Sequence, residues 1–238
     1  MGGATFVLVP GAGGDSWYWH RAVAELRGRG HRVVAPDLPA ADDAAGFAEY
    51  ADVVVAAATE AGVGSGAAGE VVLVAQSMGG FLAPVLAQRL PVTLLVLLNA
   101  MIPVPGEPAG AWWENTGQPE AQRELDRREG RPADAEFDPV VYFLHDVPPS
   151  LLDHAMENAP TQSGTPFQRP APSTTWPDVP IQVLVGRDDR FFPADFQRRV
   201  AKERLGLGTD EIPGGHLVAL SQPVALAEAL EAYLAGVR

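Results

Sequence analysis

The sequence has 238 residues, 17 Lys and Arg against 30 Asp and Glu, a formal charge of −13, and no cysteine. Without cysteine there is no disulfide framework, no Cys-ligated zinc and no thiol nucleophile, and so acidic a chain lacks the basic surface that nucleic acid or an anionic membrane demands. The length suits one large domain, which buries roughly three quarters of the surface its unfolded chain exposes.

Residues 1–10 read MGGATFVLVP, with neither the basic start nor the long apolar stretch of a secretion signal. No apolar run reaches the roughly 20 residues of a membrane span, so a soluble cytoplasmic protein is expected. Short β-branched runs at 6–9, 32–35, 71–75, 94–98 and 181–185 are apolar on both sides of the pleat. That is the pattern of strands covered on both faces of a parallel sheet; a shorter run at 209–212 completes the set. Helical stretches are predicted between them at 17–29, 44–61, 78–89, 194–205 and 223–235. Gly30 stands where a C-cap belongs, Pro223 sits at a helix start, and Asp195 puts negative charge in a first turn. Residues 62–69, rich in Gly, Ser and Ala, read as a surface loop. Strand alternating with helix predicts an α/β fold: a mostly parallel sheet of about six strands, flanked by helices.

Residues 101–180 break the rhythm. Amphipathic pieces at 119–130, 138–145 and 149–157 are separated by proline-rich turns. The stretch far exceeds the roughly 2–6 residues of an ordinary αβ connection, so a helical cap over the strand ends is expected. The division is then a single domain over 1–238, with a core of 1–100 and 178–238 and a cap inserted at 101–177. No internal repeat is present.

Residues 71–81, VVLVAQSMGGF, place Ser77 between a buried strand and a helix start. A serine on so sharp a turn needs small residues two positions before and after it, and Ala75 and Gly79 stand there. Serine is a weak nucleophile without a base and a group that orients the base. Of the five histidines, His216 in Ile-Pro-Gly-Gly-His-Leu follows the last predicted strand and can reach over the sheet edge. His20, His31, His145 and His154 fall on helix, strand-start or cap positions that suit packing or solvent. The orienting acid belongs at another strand end, where Gly186-Arg-Asp-Asp-Arg supplies Asp188 and Asp189. The other such position carries Asn99, which has no charge to set against an imidazolium. Acyl transfer also needs backbone donors for the developing oxyanion; the glycine-rich loop after residues 6–9 offers the Ala12 N–H, and Met78 after the serine offers another. The same loop is a poor phosphate binder, since residue 16 is Ser where a dinucleotide fingerprint needs Gly.

Together these residues resemble the α/β-hydrolase superfamily over nearly the whole chain. The loop at 10–14, the Trp17-Tyr18-Trp19 cluster, the stretch 33–39, the Ser77 elbow, the loop at 186–193 and Gly215-His216 fall in the family's order. Residues 6–39 are similar to the small plant esterase branch of methylesterases and hydroxynitrile lyases. The resemblance implies Asp189 rather than Asp188 as the acid, because the family acid lies three residues after the strand-end glycine. It implies a cap inserted after the family's sixth strand, and a chain that begins at the family's third strand. Two departures stand out: Pro10-Gly11 where the family often has His-Gly, and Ala75-Gln76 where it often has Gly-His.

The expected protein is a serine hydrolase of small apolar esters, as a monomer or homodimer whose partner is a small-molecule substrate. Ser77, His216 and Asp189 act through an acyl-enzyme without metal or organic cofactor. Gly11, Trp112, Trp113, Phe143, Phe167 and Trp176 are candidate pocket walls. The alternatives are cofactor-free lyase or cyclase chemistry with His216 as base, and a non-catalytic ligand-binding module.

Overall fold

The computed structural model describes residues 3–65, 69–132, 136–170 and 175–237. The middle of the loop expected at 62–69 lies outside the described residues. Six strands, β1 (Thr5–Val9), β2 (Arg32–Val34), β3 (Val71–Gln76), β4 (Leu94–Leu98), β5 (Ile181–Gly186) and β6 (Asp210–Ile212), form one sheet in the order β2-β1-β3-β4-β5-β6. Every neighbouring pair is parallel. The helices are α1 (His20–Gly28), α2 (Phe47–Glu60), α3 (Ala83–Arg89), α4 (Ala109–Thr116), α5 (Gln118–Arg128), α6 (Pro139–Tyr142), α7 (Pro149–Glu157), α8 (Thr165–Gln168), α9 (Ala194–Leu205), α10 (Val218–Ser221) and α11 (Pro223–Gly236).

Strands β1, β3 and β4 are buried at every residue, because the pleat sends successive side chains into two separate cores. Val7, Val9, Leu73, Ala75, Leu95 and Leu97 pack with Phe47 and Val54 of α2, Leu86 of α3 and Val200 of α9. Phe6, Leu8, Val72, Val74, Leu94 and Val96 pack on the opposite face with Leu26 of α1 and Leu226 and Leu230 of α11.

Several expected helices are shorter or divided, for local reasons. The helix expected at 17–29 is a 3₁₀ turn, Ser16–Trp19, followed by α1; the Asp15 carboxylate accepts the Trp17 N–H at 2.7 Å and caps the turn. Gly30, at φ 88°, lets the His31 N–H close back on the Leu26 carbonyl at 3.1 Å and ends α1. The helix expected at 78–89 also divides, into a 3₁₀ turn at Ser77–Phe81 and then α3. Pro84 has no N–H to give the Gly80 carbonyl, so a continuous α-helix is blocked there. The Glu49 carboxylate accepts the Gly46 N–H at 2.8 Å and starts α2 at Phe47 rather than residue 44. The piece expected at 138–145 shrinks to the single turn α6. Helices α4 to α8 all fall between β4 and β5.

One buried ion pair ties the start of that segment to α9. The Glu107 carboxylate, 4% exposed, takes the Arg204 guanidinium on both oxygens, together with Asn115 Nδ2 at 2.8 Å and the Val104 N–H at 3.2 Å. Arg204 also donates to the Ile102 carbonyl at 2.6 Å. Burial alone would raise the Glu107 carboxyl, but its hydrogen bonds from Arg204, Asn115 and Val104 outweigh that and hold it below the usual carboxylate range. A depressed carboxyl contributes stability that is present above its unfolded value of about 4.3 and lost as pH falls through the folded value. Denaturant titrations over this acid range are expected to show stability declining below about pH 4.3, with a shallower decline in Glu107→Gln. At neutral pH, Glu107→Ala is expected to cost about 3 kcal/mol by stranding the Arg204 charge; a loss below about 0.5 kcal/mol would mean the pair is solvated.

Candidate active site

Ser77 stands at the carboxyl end of β3 with φ 50°, left-handed backbone that L-residues rarely adopt. The strain is held by its surroundings: the Met101 N–H donates to the Ser77 carbonyl at 2.9 Å, and Gly11 presses against the side chain. A β-carbon on Gly11 would lie 2.7 Å from Ser77 Cβ and 2.6 Å from Gln76 Oε1. The turn thus lifts the hydroxyl out of the sheet edge while the serine stays 7% exposed.

Three side chains from three strand ends meet there. Ser77 Oγ lies 3.0 Å from His216 Nε2, and His216 Nδ1 lies 2.8 Å from Asp189 Oδ2. His216 and Asp189 are 2% and 1% exposed. The second Asp189 oxygen accepts the Phe191 and Phe192 N–H groups, both at 2.8 Å, which fixes the carboxylate face that meets the imidazole. Asp188 points elsewhere: its carboxylate accepts the Gly214 N–H at 3.1 Å and its own N–H donates to the Gly214 carbonyl at 3.0 Å. It joins the two loops and leaves the histidine to Asp189. Phe143 stacks on the His216 ring at 5.3 Å, and Asp146 accepts the Gly215 N–H at 2.7 Å.

A cavity of about 370 Å³ opens beside Ser77. Gly11, Ala12, Trp17, Phe143, Leu144, Met156, Pro160, Leu217 and Leu220 are among its mostly apolar lining, and no described Lys or Arg lines it. Ala12 is on the cavity wall; Met78 is the second residue of the 3₁₀ turn, where the backbone N–H has no partner within the turn. Of the aromatic residues expected around the pocket, Phe143 is present. Trp112, Trp113, Phe167 and Trp176 are not; they pack into or against the core beneath. Trp112 is fully buried against Phe192 and Phe196, with its indole N–H donating to the Ile102 carbonyl at 3.1 Å. Their places are taken by residues with weak sequence signals. The ring of His154 on α7, a position that suits solvent by sequence, lies 4.5 Å from Trp17 across the cavity lining. Helix α7 has no fully buried residue; Leu151 and Leu152 pack against the core, while His154, Ala155 and Met156 line the cavity.

Two ionisable groups around the site are shifted. Burial, with the Arg190 charge nearby, pushes the His145 imidazole below its ordinary range, which keeps it neutral near pH 7. Burial pushes the Tyr18 phenol far up. No described cluster of three or more His, Asp or Glu side chains suits a metal ion, and no described helix is long and apolar enough to cross a membrane.

A profile described as the alpha/beta hydrolase family matches residues 6–229. The chain belongs to this family. It is 36% identical over 118 residues to a probable esterase of rice (Oryza sativa subsp. indica), a match covering 46% of this chain and 43% of that protein. The chain thus spans under half the length of that relative. A pyrethroid hydrolase of Sphingobium wenxiniae is 29% identical over 244 residues, covering 94% of this chain and 85% of that one. Among solved structures, polyneuridine aldehyde esterase superposes with a TM-score of 0.75 at 21% identity, covering 98% of this chain and 99% of the other. That likeness shows a shared overall fold.

Gly11→Ala is expected to slow covalent labelling of the serine by a fluorophosphonate about 100-fold, because the added carbon displaces the hydroxyl. An unchanged labelling rate would show that the loop yields instead.

Proposed function

We propose that this chain is a serine hydrolase that cleaves small, uncharged, mostly apolar esters through an acyl-enzyme. The observation that carries the reading is the buried hydrogen-bonded line from Ser77 Oγ through His216 to Asp189, at 3.0 and 2.8 Å, opening on an apolar cavity. The esterase and hydrolase names of the rice and Sphingobium relatives support it.

Ser77 Oγ attacks the ester carbonyl as His216 Nε2 takes its proton. Asp189, held by two backbone N–H groups, keeps Nδ1 protonated and stabilises the imidazolium that forms. The Ala12 and Met78 N–H groups take the oxyanion. His216 returns its proton to the departing alcohol, and water then repeats the sequence on the acyl-enzyme and frees the acid. The segment 101–177 acts as the cap, with α7 and Phe143 closing the cavity from above.

Ser77→Ala is expected to lower ester turnover by about 10⁴-fold or more, and Asp189→Asn by about 10³- to 10⁴-fold. Asp188→Asn, which keeps an acceptor for Gly214, is expected to remain within about 10-fold of wild type, consistent with a loop-joining hydrogen bond. Ester turnover surviving in Ser77→Ala sinks the acyl-enzyme. In a substrate panel, an ester bearing a free carboxylate is expected to fall about 100-fold in kcat/KM below its uncharged analogue, since no Lys or Arg among the described residues lines the cavity to offset desolvation of the charge. Equal turnover of the two would refute the preference for uncharged substrates.

A further inference from the structure

Asn99 sits at the end of β4 and makes no contact with the cavity, yet it is fully buried and holds φ 43°, one of two described non-glycine residues with positive φ. The other is Ser77. Its side chain is used on both sides. Nδ2 lies 3.1 Å from the carbonyl oxygens of Gly215 and His216, and Oδ1 accepts the Gly186 N–H at 2.7 Å. Gln197 extends the connection: its Nε2 lies 3.5 Å from Asn99 Oδ1, 3.4 Å from Asp189 Oδ2 and 2.7 Å from the Phe192 carbonyl. One amide therefore joins the strand end that carries the acid to the backbone of the base.

We infer that Asn99 is a positioning residue, a bracket that sets the His216 imidazole against Ser77 and Asp189 through the backbone on either side of it. The inference rests on the Ser77–His216–Asp189 reading above. Three features argue for more than packing. An apolar residue would leave the Gly215 carbonyl and the Gly186 N–H unpaired in the interior, and the His216 carbonyl with Gln76 Nε2 at 3.4 Å alone, so the site demands donor and acceptor together. Only a residue that tolerates left-handed backbone suits the position, and Asn is the residue type that satisfies both demands. The bonds fall on residue 216 itself and on the glycine before it, so their loss moves the imidazole rather than a distant loop. An aspartate in the same place would keep the acceptor for Gly186 but turn an oxygen toward the two carbonyls.

Asn99→Gly removes the side chain while keeping the backbone conformation, and Asn99→Asp keeps shape and φ while removing the donors. Each is compared with wild type by titrating active sites with a fluorophosphonate and measuring ester turnover per labelled site. The expected result is one label per chain, taken up more slowly, with kcat per labelled site reduced on the order of 10- to 100-fold and KM within about 3-fold. A merely structural role would reduce the number of labelled sites and leave turnover at each of them unchanged. The inference is overturned if either folded variant keeps kcat per labelled site within about 3-fold of wild type. If Asn99→Gly does not fold, Asn99→Asp decides alone. Wild-type protein that takes up no label would refute the Ser77 reading itself, and this inference with it.

Discussion

The loops at the carboxyl ends of β1 and β3, and those of β5 and β6, meet at distances that leave no room for a β-carbon. One on Gly11 would sit 2.7 Å from Ser77 Cβ, and one on Gly186 would sit 2.5 Å from the Gly214 carbonyl oxygen. These approaches seat the serine turn against the first loop, and the histidine loop against the acid's strand. The parallel sheet supplies the setting: its strands all end on one edge, so residues far apart in the chain are delivered to one place. The close backbone contacts convert that common edge into atomic registration.

Registration of this kind has its counterpart in polar satisfaction. The histidine loop is held from four directions: Asp188 takes the Gly214 N–H, Asp146 takes the Gly215 N–H, and Asn99 and Gln76 face the carbonyls. None of these bonds is individually large, each contributing about 1 kcal/mol net. Their effect is geometric, because an imidazole between two partners at 3.0 and 2.8 Å has little room to drift. Three of the tethers come from the ends of β3, β4 and β5, and one from the segment between β4 and β5. That segment also places Phe143 against the imidazole ring, so it meets His216 as well as the cavity.

What could be read in the sequence follows from how local each signal is. Double-sided apolar runs identify buried parallel strands because the pleat is a two-residue property. Ser77 was legible for the same reason: the strand, the small flanking residues and the helix start all lie within a few positions of it. Asp188 and Asp189 are chemically equal as sequence, and only the turn geometry aims one at His216 and the other at Gly214. The tryptophans misled because a large aromatic ring suits a core and a pocket equally, and Trp112 found a backbone acceptor that let it bury completely. Asn99 carried no signal, since its partners are backbone atoms 87 to 117 positions away. Trp17 and His154 are likewise paired only by the approach of α7 to the first loop.

Ser77 and His216 are 139 positions apart in the chain, while His216 and Asp189 are separated by only 27. Chain synthesis therefore delivers the elbow first and the acid and base much later. Until the stretch from β5 to α10 has docked on the sheet edge, the Ser77 hydroxyl is an ordinary alcohol with no proton acceptor. On the serine-hydrolase reading proposed above, a nascent or partly unfolded chain is consequently inert toward esters around it, and reactivity arrives only when the three side chains meet.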